Sequence, residues 1–265
     1  MIQDFDKFFN RLKNEIKAND NDGRDSMSKP PCSICYPFTK DDIDNPDFNE
    51  EDWKEFWRMS KEYYPLHSVY GGRLGKDVET IISSEKSKLR EQLRMIYKKP
   101  RMKGKRVLEI GYGFGGAGLD MIKMGADYTG IDYVTSNKDL PKDRFLEINV
   151  SGIPEGIMSG KKFDLVYSEN VFQHLTQKQR FDYIKQAHEI LKDDGVFFFS
   201  VFERIPGQGL RDDYSTTFFN VHTKVDEPGE LQDFLSETGF TFDHSVRAIC
   251  YETYCAYYVC RKKPA

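Results

Sequence analysis

The stretch VLEIGYGFGG, residues 107–116, has the pattern of a short apolar strand followed by a glycine turn. The residues after it, Gly118 to Ile122, have the pattern of the start of a helix. Glycine lets the backbone turn sharply and lie close to a ligand, because no Cβ blocks the approach. The first N–H groups of a helix also have no partners within the helix. This order of elements predicts a ligand-binding edge of an α/β sheet.

The charge of Glu109 distinguishes two kinds of ligand for this turn. Gly111, Gly113 and Gly116 fit the G-x-G-x-x-G spacing of dinucleotide-binding proteins, which alone is a weak signal. Glu109 lies two residues before the first glycine, where it would repel a pyrophosphate. Gly115 completes an E-x-G-x-G-x-G pattern, in which the acid is placed to meet a cation.

This pattern resembles motif I of the class I S-adenosylmethionine-dependent methyltransferases. The resemblance implies that Glu109 pairs, usually through water, with the ammonium of the methionine moiety. A second strand, residues 128–132, ends in Asp132, whose carboxylate can accept both ribose hydroxyls. The alternative for Asp132 is a helix cap or a turn residue. In a third strand, residues 145–150, Asn149 holds the place that approaches the adenine amino group, although many members have Asp there.

Later segments follow the order of the same family. Residues 163–175 resemble its fourth strand and the following helix, and residues 191–200 resemble the turn and fifth strand. The end of the chain resembles its closing β-hairpin, so the likeness spans about residues 104–262. It implies an α/β fold, with a doubly wound, seven-stranded, mostly parallel sheet and helices on both faces. It also implies S-adenosyl-L-methionine as cofactor, S-adenosyl-L-homocysteine as product, and as cofactor-binding residues Glu109, Gly111, Tyr112, Gly113, Asp132, Tyr133, Asn149, Val150 and Ser168.

The composition fits one such domain with an extension. The chain has 265 residues, long enough to bury a full core. Its net charge of −4 argues against general affinity for nucleic acid. No apolar run approaches membrane-spanning length, and the polar start is not a secretion signal. We therefore expect a cytoplasmic enzyme that acts on a small-molecule acceptor, without a membrane or nucleic-acid partner.

The cysteines do not predict a metal centre. Cys32 and Cys35 have the spacing of a zinc knuckle, but a structural zinc site needs four ligands. Cys250, Cys255 and Cys260 are spaced five residues apart and form no second knuckle. We expect reduced thiols and no metal.

The chain divides, by these patterns, into an N-terminal helical extension at 1–100 and a methyltransferase domain at 101–265. Residues 2–17 have the spacing of an amphipathic helix, whose apolar face needs a partner in this chain or in a second copy. Residues 18–31 are typical of a linker. A second helix carries an aromatic stripe, which predicts core packing or, alternatively, a lid over the active site: Trp53, Phe56, Trp57 and Tyr64.

A basic stretch at residues 86–106 has two interpretations. Its ten lysines and arginines could dock an anionic acceptor or RNA. Much of it falls on a helix whose apolar positions face inward, which favours a solvated charged face over a docking site. Those apolar positions are Leu89, Leu93, Ile96 and Tyr97.

Methyl transfer is an in-line displacement with a neutral thioether as leaving group, so the enzyme mainly holds nucleophile and methyl in line. A base is needed only if the acceptor must lose a proton. The first candidate is His222, which follows the long segment 203–220 after strand five, and the second is His67. We interpret His174, His188 and His244 as structural, solvated or distant from the pocket.

The motifs that the sequence lacks exclude several classes of acceptor. Strand four ends in Ser168-Glu169-Asn170 rather than the Asn/Asp-Pro-Pro-aromatic signature of methylation on nucleic-acid bases. Neither a paired-glutamate loop nor a pair of metal-binding acids is evident. A small molecule or a sugar remains as the expected acceptor. Three alternatives stay open at this point: a macromolecule-modifying methyltransferase, a nicotinamide-dependent oxidoreductase, and a catalytically silent cofactor-binding scaffold.

Overall fold

The computed structural model describes residues 78–133, 137–149, 151–160, 162–204, 225–226, 229–250 and 253–264. The helices in these ranges are α1 Val78–Ile96, α2 Gly116–Lys123, α3 Glu155–Met158, α4 Gln177–Ile190 and α5 Glu230–Glu237. The strands are β1 Arg106–Ile110, β2 Asp127–Asp132, β3 Phe145–Glu147, β4 Phe163–Ser168, β5 Leu191–Arg204, β6 Val225–Asp226, β7 Phe240–Cys250 and β8 Thr253–Lys262. A 3-10 helix, Phe172–His174, follows β4.

The strands form one sheet in the order β3-β2-β1-β4-β5-β8-β7, and the two-residue β6 pairs with β5 outside this path. The pairs from β3 across to β5 are parallel, whereas β8 runs antiparallel to β5 and to β7. The chain winds outward from β1 to β3 and then returns to place β4 on the other side of β1. This confirms the predicted doubly wound, mostly parallel sheet and its closing hairpin. The order reverses between β1 and β4, which is where such sheets bind ligands.

Alternating strand residues fill a core on each face of the sheet. On one face, α4 and α5 bury Tyr183, Ile184 and Leu235 against the strands. On the other face, α1 and α2 bury Leu89 and Met121. Helices therefore lie on both faces, as predicted, because every strand near the centre presents apolar side chains in both directions.

Helix α1 shares the second core although it falls in the first hundred residues. Leu89, Leu93 and Ile96 are at most 4% exposed, which confirms the inward face expected within the basic stretch. The opposite face carries charge, and Arg90 there binds the buried carboxylate of Asp120, with 2.9 Å from Nε to Oδ2. The division of the chain at residue 100 stays a prediction. The helices expected at residues 2–17 and around Trp53 also stay predictions, because both segments lie outside the described residues.

Candidate functional site

Three predicted residues meet at the carboxyl edge of neighbouring strands. Gly111 directly follows β1, Asp132 ends β2 and Ser168 ends β4. The register fixes this arrangement, because Glu109 on β1 is opposite Gly130 on β2 and Tyr167 on β4. The glycine turn therefore lies beside the switch point between β1 and β4.

Hydrogen bonds within the chain close the glycine turn. Gly111, Gly113 and Gly115 have φ of 74°, 56° and 82°, which side-chain-bearing residues rarely adopt. The Gly111 and Gly115 N–H groups donate to backbone carbonyls, at 2.7 and 2.8 Å. The N–H of Gly113 donates to Asp132 Oδ2 at 2.9 Å. The N–H of Gly116, the first residue of α2, donates to Glu85 Oε2 at 2.7 Å. Two of these four donors are thus held by carboxylates.

Glu109 is buried, and its charge state depends on that burial. The side chain is 3% exposed, and the Tyr128 hydroxyl donates to Glu109 Oε2 at 2.5 Å. Burial raises the pKa of Glu109 to about 8, the hydrogen bond from Tyr128 opposes the rise, and nearby Glu85, Asp132 and Glu169 add to it. Glu109, the acid of the motif, is therefore one of four neighbouring acidic residues near the glycine turn, together with Glu85, Asp132 and Glu169.

Glu169 belongs to this group although sequence reasoning did not place it in the site. It follows β4 directly, level with Gly111 on the neighbouring strand. Burial raises the pKa of Glu169 to about 7, and the charge of Lys88 and hydrogen bonds with Ser200 and Gln92 oppose the rise. The next residue, Asn170, has φ of 57°, and its N–H donates to Ser200 Oγ at 2.8 Å. The signal that could have found Glu169 is its place at the end of a central parallel strand.

Helix α1 supplies the other unpredicted residues. Glu85, Lys88 and Gln92 recur at helical spacing beside Leu89, so they follow the face that packs on the sheet. Gln92 is 3% exposed, and its Oε1 accepts from the Tyr167 hydroxyl at 2.5 Å. The sequence interpretation counted only the apolar positions of this face, and the polar residues among them were missed for that reason.

The remaining predicted cofactor residues take varied positions. Ser168 is fully buried, and its hydroxyl donates to the carbonyl of Ile110 at 3.0 Å. Tyr112 is 2% exposed and meets the ring of Phe145 edge-on. Tyr133 is half-buried, and Asn149 is exposed two residues past β3. Val150 lies outside the described residues, so its assignment stays a prediction.

Both candidate bases, His222 and His67, also lie outside the described residues. His188 packs edge-on against Phe240, and burial lowers its pKa. His244 on β7 binds the buried Glu203, with 2.9 Å between Nε2 and Oε2. Tyr258 donates a short hydrogen bond to the same carboxylate. His188 and His244 thus make contacts within the fold.

Among the described residues, no group of three or more His, Cys, Asp or Glu side chains could hold a metal ion. Within those ranges, no helix is long and apolar enough to cross a membrane. Cys255 and Cys260 are buried, whereas Cys32 and Cys35 lie outside the described part.

Comparison with known proteins supports the family resemblance of the glycine turn. A family model described as a methyltransferase domain matches residues 83–245, more than half of the chain. The chain belongs to this methyltransferase family. The match begins inside α1 and includes the glycine turn, Asp132 and Glu169. It confirms the resemblance drawn from motif I.

The individual relatives are distant in sequence and match this chain over only part of their length. A ubiquinone biosynthesis O-methyltransferase from Pelagibacter ubique is 27% identical over 156 residues, which are 57% of this chain and 61% of that protein. A cyclopropane-fatty-acyl-phospholipid synthase from Escherichia coli K12 is 26% identical over 164 residues, 57% of this chain and 42% of that protein. The chain therefore matches less than two thirds of either relative's length.

A solved structure shows the same fold. Magnesium protoporphyrin IX methyltransferase from Synechocystis PCC 6803, determined with bound SAM, superposes with a TM-score of 0.54. The match covers 82% of this chain and all of that chain, at 12% identity. At that identity the likeness establishes the class I methyltransferase fold and nothing about the acceptor.

Proposed function

We propose that this methyltransferase transfers the methyl group of S-adenosylmethionine to a small-molecule acceptor, leaving S-adenosylhomocysteine. The observation that carries the proposal is the carboxylate of Asp132, fixed against the glycine turn by the N–H of Gly113 at 2.9 Å. This contact brings Asp132, the acid that we propose binds the ribose, against the turn of motif I at the carboxyl edge. The family match over residues 83–245 supports the same reaction.

The residues present fit a cationic adenosyl ligand. Glu85, Asp132 and Glu169 lie close enough to Glu109 for their charges to raise the pKa of its carboxyl. When bound, S-adenosylmethionine supplies an electrophilic methyl group on a sulfonium. Asp132 would hold the ribose, and Glu109 would face the ammonium of the methionine moiety. Closely spaced acids repel one another, and a cation among them relieves that repulsion.

The atom of the acceptor that receives the methyl group is not fixed by the proposal. One relative is named for O-methylation in ubiquinone biosynthesis and another for a cyclopropane fatty acid, so the accepting atom differs within the family. We keep a small molecule as the acceptor class and leave the accepting atom to experiment. His222, with His67 second, stays our candidate base for an acceptor that must lose a proton. A cytoplasmic location and pairing of two copies through residues 2–17 likewise stay predictions.

Asp132→Ala tests the cofactor assignment. We expect S-adenosylhomocysteine to bind the wild type at micromolar concentrations and the variant more weakly by about 1–3 kcal/mol, because two ribose hydroxyls lose their acceptor. Isothermal titration calorimetry measures both constants. Asp139→Ala, which removes an exposed carboxylate after β2, is the matched control and should bind normally.

Two outcomes would overturn the assignment. One is binding of NAD(H) by the wild type with no heat from S-adenosylhomocysteine. The other is an Asp132→Ala variant that binds as tightly as the control. Once binding is established, a screen with methyl-labelled cofactor against small-molecule extracts identifies the acceptor. Label that appears only in protein or RNA would instead favour the macromolecular alternative.

A further inference from the structure

The amino end of α2 carries an anion that belongs to the protein. Helix amino ends attract anions because their N–H groups point outward and the helix dipole is positive there. In this chain the N–H of Gly116 donates to Glu85 Oε2 at 2.7 Å. The acid comes from α1, 31 residues earlier in sequence. The position that a ligand phosphate uses in dinucleotide-binding folds is thus taken by a carboxylate.

The close fit around Glu85 indicates a fixed position for that carboxylate. A Cβ on Gly116 would lie 2.6 Å from Glu85 Oε2, and a Cβ on Gly113 would lie 3.2 Å from Glu85 Oε1. Both oxygens therefore border the turn, and the glycines leave the space that they need. Leu89, one helical turn later, is fully buried and holds α1 on the sheet.

The other N–H groups of the glycine turn also donate to acceptors within the chain. Gly111 and Gly115 donate to backbone carbonyls, and Gly113 donates to Asp132. A pyrophosphate at this turn would find these four N–H groups already bonded and two carboxylates beside it. Two like charges in contact near a protein surface repel one another.

We propose that Glu85 is a cofactor-specificity residue, which excludes phosphate-bearing nucleotides from the glycine turn and reserves it for a cationic adenosyl ligand. The inference rests on the proposed function and adds a residue from outside motif I. It explains how a turn that also fits the G-x-G-x-x-G spacing is kept from dinucleotides. Glu109 cannot do this alone, because it lies beneath the turn with its carboxylate bonded to Tyr128.

The test compares three ligands that share an adenosine. S-adenosylhomocysteine carries an ammonium, 5′-methylthioadenosine carries no charge near the sulfur, and ADP carries phosphates. Calorimetry, with competition for weak ligands, gives each dissociation constant for the full-length wild type and for Glu85→Gln. Glutamine keeps an oxygen that can accept from Gly116 but removes the charge. Glu79→Gln, the same change at an exposed site on the first turn of α1, is the control.

We expect the ratio of the ADP constant to the methylthioadenosine constant to fall about tenfold in Glu85→Gln, since one like charge is removed. The ratio should not change in Glu79→Gln. A ratio that stays within threefold, a uniform weakening of all three ligands, or continued exclusion of ADP at 10 millimolar (about the practical limit of such titrations) would each overturn the inference. Failure of the wild type to bind S-adenosylhomocysteine or methylthioadenosine would instead count against the proposed function.

A measurement on the wild type covers the case in which Glu85→Gln does not fold. Salt screens repulsion between a surface carboxylate and a phosphate but leaves an uncharged ligand unaffected. The same ratio should therefore fall as sodium chloride rises from about 20 to 300 millimolar, across which the Debye length shrinks severalfold. A ratio that does not respond to salt would contradict electrostatic exclusion.

Discussion

The buried carboxyl of Glu109 should couple cofactor binding to pH. Its pKa is raised to about 8 by burial, so the free protein holds a proton there at neutral pH. A cationic ligand favours the ionised acid, and binding below pH 8 must therefore release that proton. Affinity should rise with pH as the cost of releasing the proton declines.

We expect the dissociation constant of S-adenosylhomocysteine to fall by more than tenfold from pH 6.0 to 7.5 in the wild type, since release of one proton costs about 1.4 kcal/mol for each pH unit below the pKa. Glu109→Gln should reduce this change to about threefold, with the remainder from Glu169. Calorimetry in two buffers of different ionisation enthalpy counts the released proton. Glu147→Gln, at the exposed end of β3, is the control. Equal pH dependence in wild type and Glu109→Gln would show that Glu109 is not the group that titrates.

The same pKa shift has a stability consequence with a definite sign. Between the unfolded value near 4.5 and about 8, the native state binds more protons at Glu109 than the unfolded chain does. The free energy of unfolding should therefore fall as pH rises across this window. Residue identity in motif I predicted this acid, but its protonation follows from burial, against the opposing hydrogen bond from Tyr128, and the local sequence does not encode that burial.

At the scale of elements, the closing hairpin is anchored by a buried polar contact. Glu203, 3% exposed on β5, accepts from the Tyr258 hydroxyl on β8 and binds His244 on β7. These three strands are neighbours in the sheet, so one carboxylate ties them together. A buried carboxylate is stable only while its hydrogen-bond partners remain.

Tyr258→Phe should lower the free energy of unfolding by about 1–3 kcal/mol, because Glu203 stays buried with one donor fewer. Tyr97→Phe is a matched control, since the Tyr97 hydroxyl is buried and has no hydrogen-bond partner among the described residues. That change should be neutral or stabilising. Urea denaturation followed by circular dichroism measures both variants. Equal stability of the two would mean that the Tyr258 hydroxyl contributes nothing to the hairpin.

Elements were predicted from sequence with unequal success, for physical reasons. The strands followed from apolar runs and glycine turns, which are local signals, whereas the doubly wound sheet followed from the resemblance of motif I to a known family. The role of α1 did not, because Glu85 reaches Gly116 across 31 residues and Gln92 reaches Tyr167 across 75. Helical spacing shows which residues share a face but not which strand that face meets.

At the scale of the whole molecule, α1 cannot be separated from the sheet. Leu89 and Leu93 are at most 1% exposed, and removing them would open the core shared with Met121 and Tyr128. A chain that begins at Lys103 should therefore be poorly soluble and should not unfold cooperatively. A chain that begins before Val78 keeps this core and should melt in one transition. Cooperative folding of the shorter chain would show that α1 is dispensable.

The segment before α1, which contains both tryptophans, is a candidate cover for the site. Trp53 and Trp57 are the two tryptophans of the chain, so selectively excited tryptophan fluorescence reports on that segment alone. Methyl transfer requires that water be kept from the methyl group and that the acceptor be held in line, which favours a cover. The match of the family model begins at residue 83, after both tryptophans.

We expect S-adenosylhomocysteine to reduce acrylamide quenching of Trp53 and Trp57 by about half if the segment closes over the cofactor, as lids in enzymes do. Asp132→Ala, held at a ligand concentration far below its own dissociation constant, should show no change and serves as the control for ligand effects away from the site. A chain that begins at about residue 75 should bind the cofactor more weakly than the full chain, because the cover is missing. If quenching is unchanged by the ligand and the shortened chain binds equally well, the aromatic stripe does not close over the cofactor, and its apolar face would then be available to dock another protein.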